Sequence, residues 1–424
     1  MPDRTQAPKT NNHSDIPYIK PAAVELDNGM PVYFMEGGSD SFVKIDFVFF
    51  SGSYHQHKPL VAFSAVNLLR AGTEKHSRAE IDELLDFYSV RLDLEPQKDI
   101  STVSVYVLHK HLGPVLKLLK EMVRYPVYPE KELHTFMSNQ KQIHIINQKK
   151  VKHLARTYFN ELIYGEQHPY GYRVRPDDFD AVSVDDLQGF HSRFFYPGNA
   201  CCIVSGAMPD TIEDQIAAVF GGDRREGSGH SERTVHAELS TGRRKVHLEV
   251  SGALQSAIRI GKKLFNRTHP AYHRLKITNA LLGGYFGSRL MQNIRQDKGY
   301  TYGISSNIIS LVRSGYFFIG TQAGTDVTEA TKEEVYKELH RLREQPADRE
   351  ELNSLVSYLS GSFLRSFDGP YAQSERFKEL LVFGLDFSHY EEYLETLKTI
   401  TAEDIMECAR LYLREDDMTE VVAG

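Results

Sequence analysis

Two pairs of histidines, His55/His57 and His109/His111, stand two residues apart, a spacing that puts both imidazoles on one side of a strand, where they could chelate a metal. Each pair lies near a predicted strand end beside Lys58 or Lys110, and neither has an acid in register with it. Ordinary solvated histidines are the simpler reading. A second chemical feature is the stretch Gly283–Gly303, where a glycine-rich turn leads to Arg295 and, seven positions on, to Tyr302. A guanidinium and a phenol can both donate hydrogen bonds to negative charge developing on an oxygen. Neither can activate water, so the pair alone makes no hydrolase. A helix-end cation favoured by the helix dipole is the competing reading of Arg295, and an ordinary strand aromatic that of Tyr302. Tyr300, on the same strand face, competes for the tyrosine role. The run Gly283-Gly284-Tyr285-Phe286-Gly287-Ser288 lacks the lysine of a phosphate loop and follows no strand, which excludes a nucleotide cradle.

The elements that must carry these residues are read from periodicity. Phe42 to Phe50 alternates as a strand, Val61 to Arg70 has helical spacing, and Val103 to Leu108 is another strand. Helices are predicted from Pro129 to about Lys149 and from Val151 to Tyr164. The second half repeats the order: strands at 245–250 and 257–262, a helix over 271–282, strands at 302–311 and 316–321, then helices almost to Leu413. An ungapped match at an offset of 218 residues supports a duplication. Ser183-Val184-Asp185-Asp186-Leu187 aligns with Thr401-Ala402-Glu403-Asp404-Ile405, each a hydroxyl with an acid three positions on, the capping-box pattern. At the same offset Ile203–Gly206 aligns with Val421–Gly424. The expected class is therefore α+β, with two homologous domains at 17–220 and 239–424 joined by a glycine-rich, charged linker at 221–238.

Composition narrows the function. At 424 residues with 41% hydrophobic content the chain can bury two large cores. A formal net charge of −7 leaves no basic excess for a phosphate backbone, which argues against a nucleic-acid partner. No window reaches the roughly 18 consecutive apolar residues of a membrane span, and the polar first sixteen residues contain no export signal. Three cysteines, two of them the neighbours Cys201 and Cys202 facing opposite sides of a strand, do not form a disulfide framework. A cytoplasmic location is expected.

The order of short motifs along the chain resembles the pitrilysin-like (M16, of the M16B type) zinc peptidases. The motifs are Gly72-Thr73 after the first helix, Tyr164-Gly165 with His168-Pro169-Tyr170-Gly171, Phe195-Tyr196-Pro197-Gly198-Asn199, and the Arg295/Tyr302 segment. The resemblance implies domains like those of mitochondrial processing peptidase, each an antiparallel-rich sheet packed with helices. It also implies a His-x-x-Glu-His zinc motif on the first helix, where two imidazoles four apart share one helical face. Anchored on Gly72-Thr73, the histidine positions hold Phe63 and Asn67, and the glutamate position holds Val66. The family's further glutamate ligand is missing as well, since Leu133 through Asn160 contain no Asp or Glu. No catalytic residue, metal or cofactor is expected in this chain, and no independent peptidase activity.

In the family, the Arg and Tyr of the second domain reach the peptide held at the zinc, so the resemblance assigns substrate binding to Arg295 and Tyr302. It implies a non-catalytic subunit of a heterodimeric peptidase. The partner would be a homologous chain bearing His-x-x-Glu-His and zinc, the ligand a peptide, with no membrane or nucleic acid involved; a homodimer is the variant of this arrangement. The alternative is a structural or assembly scaffold of the same fold with no peptidase role, and independent catalysis is a third reading.

Overall fold

The computed structural model describes residues 18–222 and 244–424. Most of the expected linker, from 223 onward, lies outside the described residues. The first half runs β1 (Ala22–Glu25), β2 (Pro31–Glu36), β3 (Phe42–Phe49), α1 (Val61–Asn67), α2 (Arg78–Phe87), β4 (Arg91–Pro96) and β5 (Ser101–Leu108). It continues with α3 (Leu112–Arg124), α4 (Glu130–Asn147), α5 (Val151–Tyr164), α6 (Val184–Phe194), β6 (Ala200–Gly206) and α7 (Ile212–Phe220). The second half opens β7 (Lys245–Leu248), β8 (Gln255–Leu264), α8 (Tyr272–Asn279), β9 (Thr301–Leu311) and β10 (Ser314–Gly324). It closes with α9 (Thr328–Glu344), α10 (Arg349–Arg365), α11 (Gly369–Phe383), α12 (Ser388–Thr399), α13 (Ala402–Tyr412) and β11 (Thr419–Ala423).

The α+β class and the duplication are both present. One sheet has the order β1-β2-β6-β3-β5-β4 and the other β7-β11-β8-β10-β9. In each, the last strand of its half enters the middle of the sheet, parallel to one neighbour and antiparallel to the other. The two matched capping boxes form as read: Ser183 and Thr401 accept from the backbone N–H of Asp186 and Asp404, whose carboxylates accept in return. Val151 and Val184 shifted by 218 are Gly369 and Ala402, the first residues of α11 and α13.

Strand alternation gives each sheet two apolar faces. In β3, Val43, Ile45, Phe47 and Phe49 join the core under α1, α3, α6 and α7. Val48, with Cys201 and Ile203 of β6, faces the other way, whereas Cys202 lies on the first face, so the two neighbouring cysteines do point apart. That second face is covered from the other half of the chain, by Phe377 of α11. Reciprocally, Ala155, Phe159 and Ile163 of α5, spaced four apart on one helical face, pack on Ala257, Val421 and Ala423 of the second sheet. The two equivalent helices are thus exchanged between the halves.

Polar contacts reinforce the exchange. Buried Lys44 of β3 lies 2.7 Å from Asp46 and also pairs with Glu375 of α11; Glu375 in turn pairs with Lys378 at 2.9 Å. Burial alone would lower the Lys44 pKa, but Asp46 and Glu375 more than offset it and hold the ammonium charged. At the other crossing the His168–Gly171 loop presents the Tyr170 hydroxyl to Asp99, whose second oxygen accepts from the backbone N–H of Val312 at 3.0 Å. This loop therefore shapes the junction of the halves. Replacing Lys44 by Met leaves buried Asp46 with only the more distant Lys378, 3.9 Å away; it is expected to cost about 3 kcal/mol, the scale for breaking a buried pair. Urea unfolding of the variant measures the loss, and a change below about 1 kcal/mol would mean the pair behaves as a solvated one.

Candidate functional site

The helix read as a degenerate zinc helix exists, as α1 followed by one 3-10 turn at Leu68–Arg70. Leu60 enters it with φ 68°, and its inner face is apolar: Val61, Ala62, Ala65 and Val66 belong to the first-half core. Val66, at the glutamate position, is completely buried and could not reach a water. Asn67 turns its Nδ2 back to donate to the Phe63 carbonyl at 2.8 Å. Phe63 meets Phe136 of α4, ring centroids 5.5 Å apart. An aromatic contact thus stands between α1 and α4, the helix on which the acid-free run begins. The residues at the zinc positions do not fit a metal, and among the described residues no group of three His, Cys, Asp or Glu could hold one.

The histidine pairs separate in space. His55 accepts at Nδ1 from the Gly52 N–H at 3.1 Å, and His57 bonds Asp186 of α6 at 2.8 Å, an acid that sequence register could not supply. His109 bonds the Ala207 carbonyl at 2.8 Å, while His111 lies against the Tyr88 ring. Each has a local structural use. Burial pushes the His55 pKa down to about 4, with the Arg313 guanidinium adding to the effect.

In the second half, α8 runs on into a wide turn at Ala280–Gly284, where a Cβ on Gly283 would come within 2.7 Å of the Ser306 N. Only glycine allows this close approach to β9. The Met291–Asp297 segment then carries Arg295, whose guanidinium carbon sits 4.9 Å from the Phe286 ring centroid. Gly299, at φ 66°, turns the chain, and the Tyr300 N–H closes on the Ile294 carbonyl at 3.0 Å. Tyr300 packs half-buried on the second-half core, while Tyr302, on the strand itself, is 91% exposed. The two tyrosines that the sequence left in competition thus differ in burial.

Two cavities flank α5. One, about 500 Å³, opens on the second sheet and takes in Tyr302 but not Arg295; the other, about 480 Å³, takes in Phe63. Arg156 lines both, and neither contains an Asp or Glu. The first also holds Lys152 and Arg259. Arg259 lies 3.7 Å from the Phe318 ring centroid and 5.2 Å from that of Phe159, and burial, with Arg156 nearby, lowers its pKa to about 10. Lys152, Arg156 and Arg259 make no salt bridge among the described residues. The second cavity adds Lys98, His144 and His153, with burial lowering all three pKa values, and Arg173, which Glu161 neutralises at 2.8 Å. This cationic wall was not singled out from the sequence. Its signal was the acid-free stretch Leu133–Asn160, which marks a missing ligand and equally an unopposed row of bases.

A two-sheet α+β chain with Phe63, Val66 and Asn67 on its first helix, where the resemblance places the zinc motif, has the architecture of a metallopeptidase homologue that lacks that motif. Residues 181–359 match the family model described as the Peptidase M16 inactive domain. A relative named an uncharacterized zinc protease, YmxG of Bacillus subtilis, is 23% identical over 373 residues, covering 86% of this chain and 89% of its own. A protease from Helicobacter pylori superposes with a TM-score of 0.88 at 18% identity, over 96% of this chain and 99% of that one. The peptidase M16 inactive domain from Pseudomonas fluorescens gives 0.85 at 21% identity, over 95% and 98%. The chain thus resembles the pitrilysin-like (M16) peptidases in its second-half family match and shares the two-domain fold of the solved M16 structures, with no His-x-x-Glu-His motif in its sequence.

The depressed His55, with a pKa of about 4 against 6.5 for a free imidazole, sets a pH dependence. Between these values the unfolded chain binds more protons, so the contribution is present above pH 6.5 and lost as pH falls toward 4. His273 and His389, lowered to about 3 and 4, act with the same sign. Thermal melts from pH 7 to pH 4 are expected to show falling stability, with a shallower fall in His55→Gln; an identical fall would remove His55 from the account.

Proposed function

We propose that this chain is the non-catalytic subunit of a two-chain zinc peptidase. A homologous partner bearing His-x-x-Glu-His supplies the metal and the attacking water. This chain supplies part of the wall against which the peptide lies, with Arg295 and Tyr302 hydrogen-bonding the peptide near the bond to be cut. The observation that carries the reading is the exposure of Tyr302 at the rim of an acid-free cavity, in a chain whose own motif helix is packed with apolar side chains. A surface aromatic of this kind, held at a strand start by the Gly299 turn, suits contact with another molecule better than it suits packing.

The chemistry assigned to the pair is donation. A guanidinium and a phenol near a scissile carbonyl stabilise charge as it develops on the oxygen, while the water is activated elsewhere. Arg295 is held beside Phe286, apart from the cavity that Tyr302 borders, so peptide or partner contact must bring the two into one site. The complex of this chain with its metal-bearing partner is therefore the species to assay. Arg295→Ala and Tyr302→Phe are each expected to lower kcat/KM by about tenfold or more, the scale of losing a transition-state donor, with assembly intact by size-exclusion chromatography. Unchanged turnover in both would remove the substrate-binding role.

Lys152, Arg156 and Arg259 further favour peptides rich in Asp and Glu. An acidic peptide should be cleaved in preference to its lysine-substituted counterpart, and the preference should shrink as salt rises. Arg156→Glu is expected to invert the order; the same preference in wild type and variant would detach the cationic wall from specificity.

A further inference from the structure

A third cavity, about 380 Å³, lies away from Tyr302, enclosed by the loop after β8 and by α8, α10, α11 and α12. Its walls collect basic groups. Arg267 and Arg376 both pair with the single acid there, Glu379, at 2.9 and 3.1 Å. One carboxylate shared by two guanidiniums leaves one positive charge uncompensated. In addition, the Nε of Arg267 and the Nε of Arg376 are buried and without a hydrogen-bond partner, as is Nδ1 of His273. A buried donor left unpaired is costly, so the two Nε–H groups add unopposed positive potential behind the cavity wall.

Lys276 adds a second cation. It projects from α8 over the Tyr393 ring at 4.5 Å, has no salt bridge among the described residues, and keeps access to solvent within the cavity. Its surroundings are complete from every side. Arg267 faces it from the loop, Arg376 and Glu379 from α11, Ser362 and Ser366 from α10, and His389, Tyr390 and Tyr393 from α12. Tyr272 and His273 flank it on α8 itself. Desolvation, then Arg267, depresses its pKa to about 8; the same cause, joined by neighbouring cations, keeps His273 and His389 neutral.

The geometry points to this cavity as a binding site for a small dianion, a phosphate group either free or carried by a small organic molecule. Its oxygens accept from the Lys276 ammonium, with Ser362 and Ser366 at the wall and the uncompensated charge of the Arg267–Glu379–Arg376 group beside them. A charge-assisted bond in a concave, partly desolvated site is of the strong kind. Because the anion favours the charged form of Lys276, binding near pH 8 takes up protons from solution. The site stands apart from the proposed peptide wall, so neither reading depends on the other.

The test is isothermal titration of the full chain with inorganic phosphate and, separately, with glycerol phosphate, at pH 8 in two buffers of different ionisation enthalpy. Binding of at least one with net proton uptake is expected; tighter binding of the organic ester identifies the carried group, and equal binding identifies free phosphate. Lys276→Met is expected to weaken binding about tenfold or more. Lys276→Arg should keep the affinity and lose most of the proton uptake, since a guanidinium stays charged at this pH. Absence of binding by both compounds at millimolar concentration would overturn the proposal. So would wild-type affinity in folded Lys276→Met, which would indicate an adventitious ion only.

Discussion

Each sheet of this protein has two apolar faces, and the helices of its own half bury only one of them. The rest of the architecture follows from that constraint. A sheet with one bare apolar face exposes hundreds of square ångströms to water, and the exchange of α5 and α11 between the halves covers both second faces at once. Neither half is then complete without a helix from the other. The polar contacts at the crossings, Lys44 with Glu375 and Tyr170 with Asp99, are buried and directional, so they fix the angle at which the halves meet.

The exchange also creates the surface where function is proposed. As α5 crosses to the second sheet it brings Lys152 and Arg156 beside Arg259, and its far side borders the cavity next to α1. An aromatic contact, Phe63 on Phe136, occupies the ground between α1 and α4. The result is a basic, acid-free wall beside a first helix whose motif positions hold Phe63, Val66 and Asn67. In the proposed complex the division of labour is physical: water activation needs a metal and a base, whereas gripping and charge stabilisation need only fixed donors.

Much of this was legible in the sequence. Strict alternation identified β3, and the 218-residue repeat of capping boxes identified α6 and α13, because these signals depend on local geometry that tertiary packing reinforces. The assignment of Phe63 and Asn67 to ligand positions, and of Val66 to the glutamate position, rests on the resemblance anchored at Gly72-Thr73. The helix exchange was not legible: α5 has an ordinary amphipathic pattern and α11 a weak one, with Gln373, Ser374 and Lys378 on its buried face, and periodicity shows that a face is buried without showing against what. The His57–Asp186 bond, the pairing of Arg156 with Arg259 in one cavity, and the sharing of Glu379 by two arginines all join residues from separate elements. The different burial of Tyr300 and Tyr302 was not legible either, since the strand start follows a positive φ at Gly299, a conformation that glycine permits and does not announce.

The central claim is that this chain works as the partner of a metal-bearing homologue, and the most direct measurement is to identify what co-purifies with it in stoichiometric amount from its native cells. The account predicts a second chain of similar length carrying His-x-x-Glu-His, with zinc present in the complex and lost with that chain. Recovery of this protein alone, or within an assembly containing no such homologue, would contradict it.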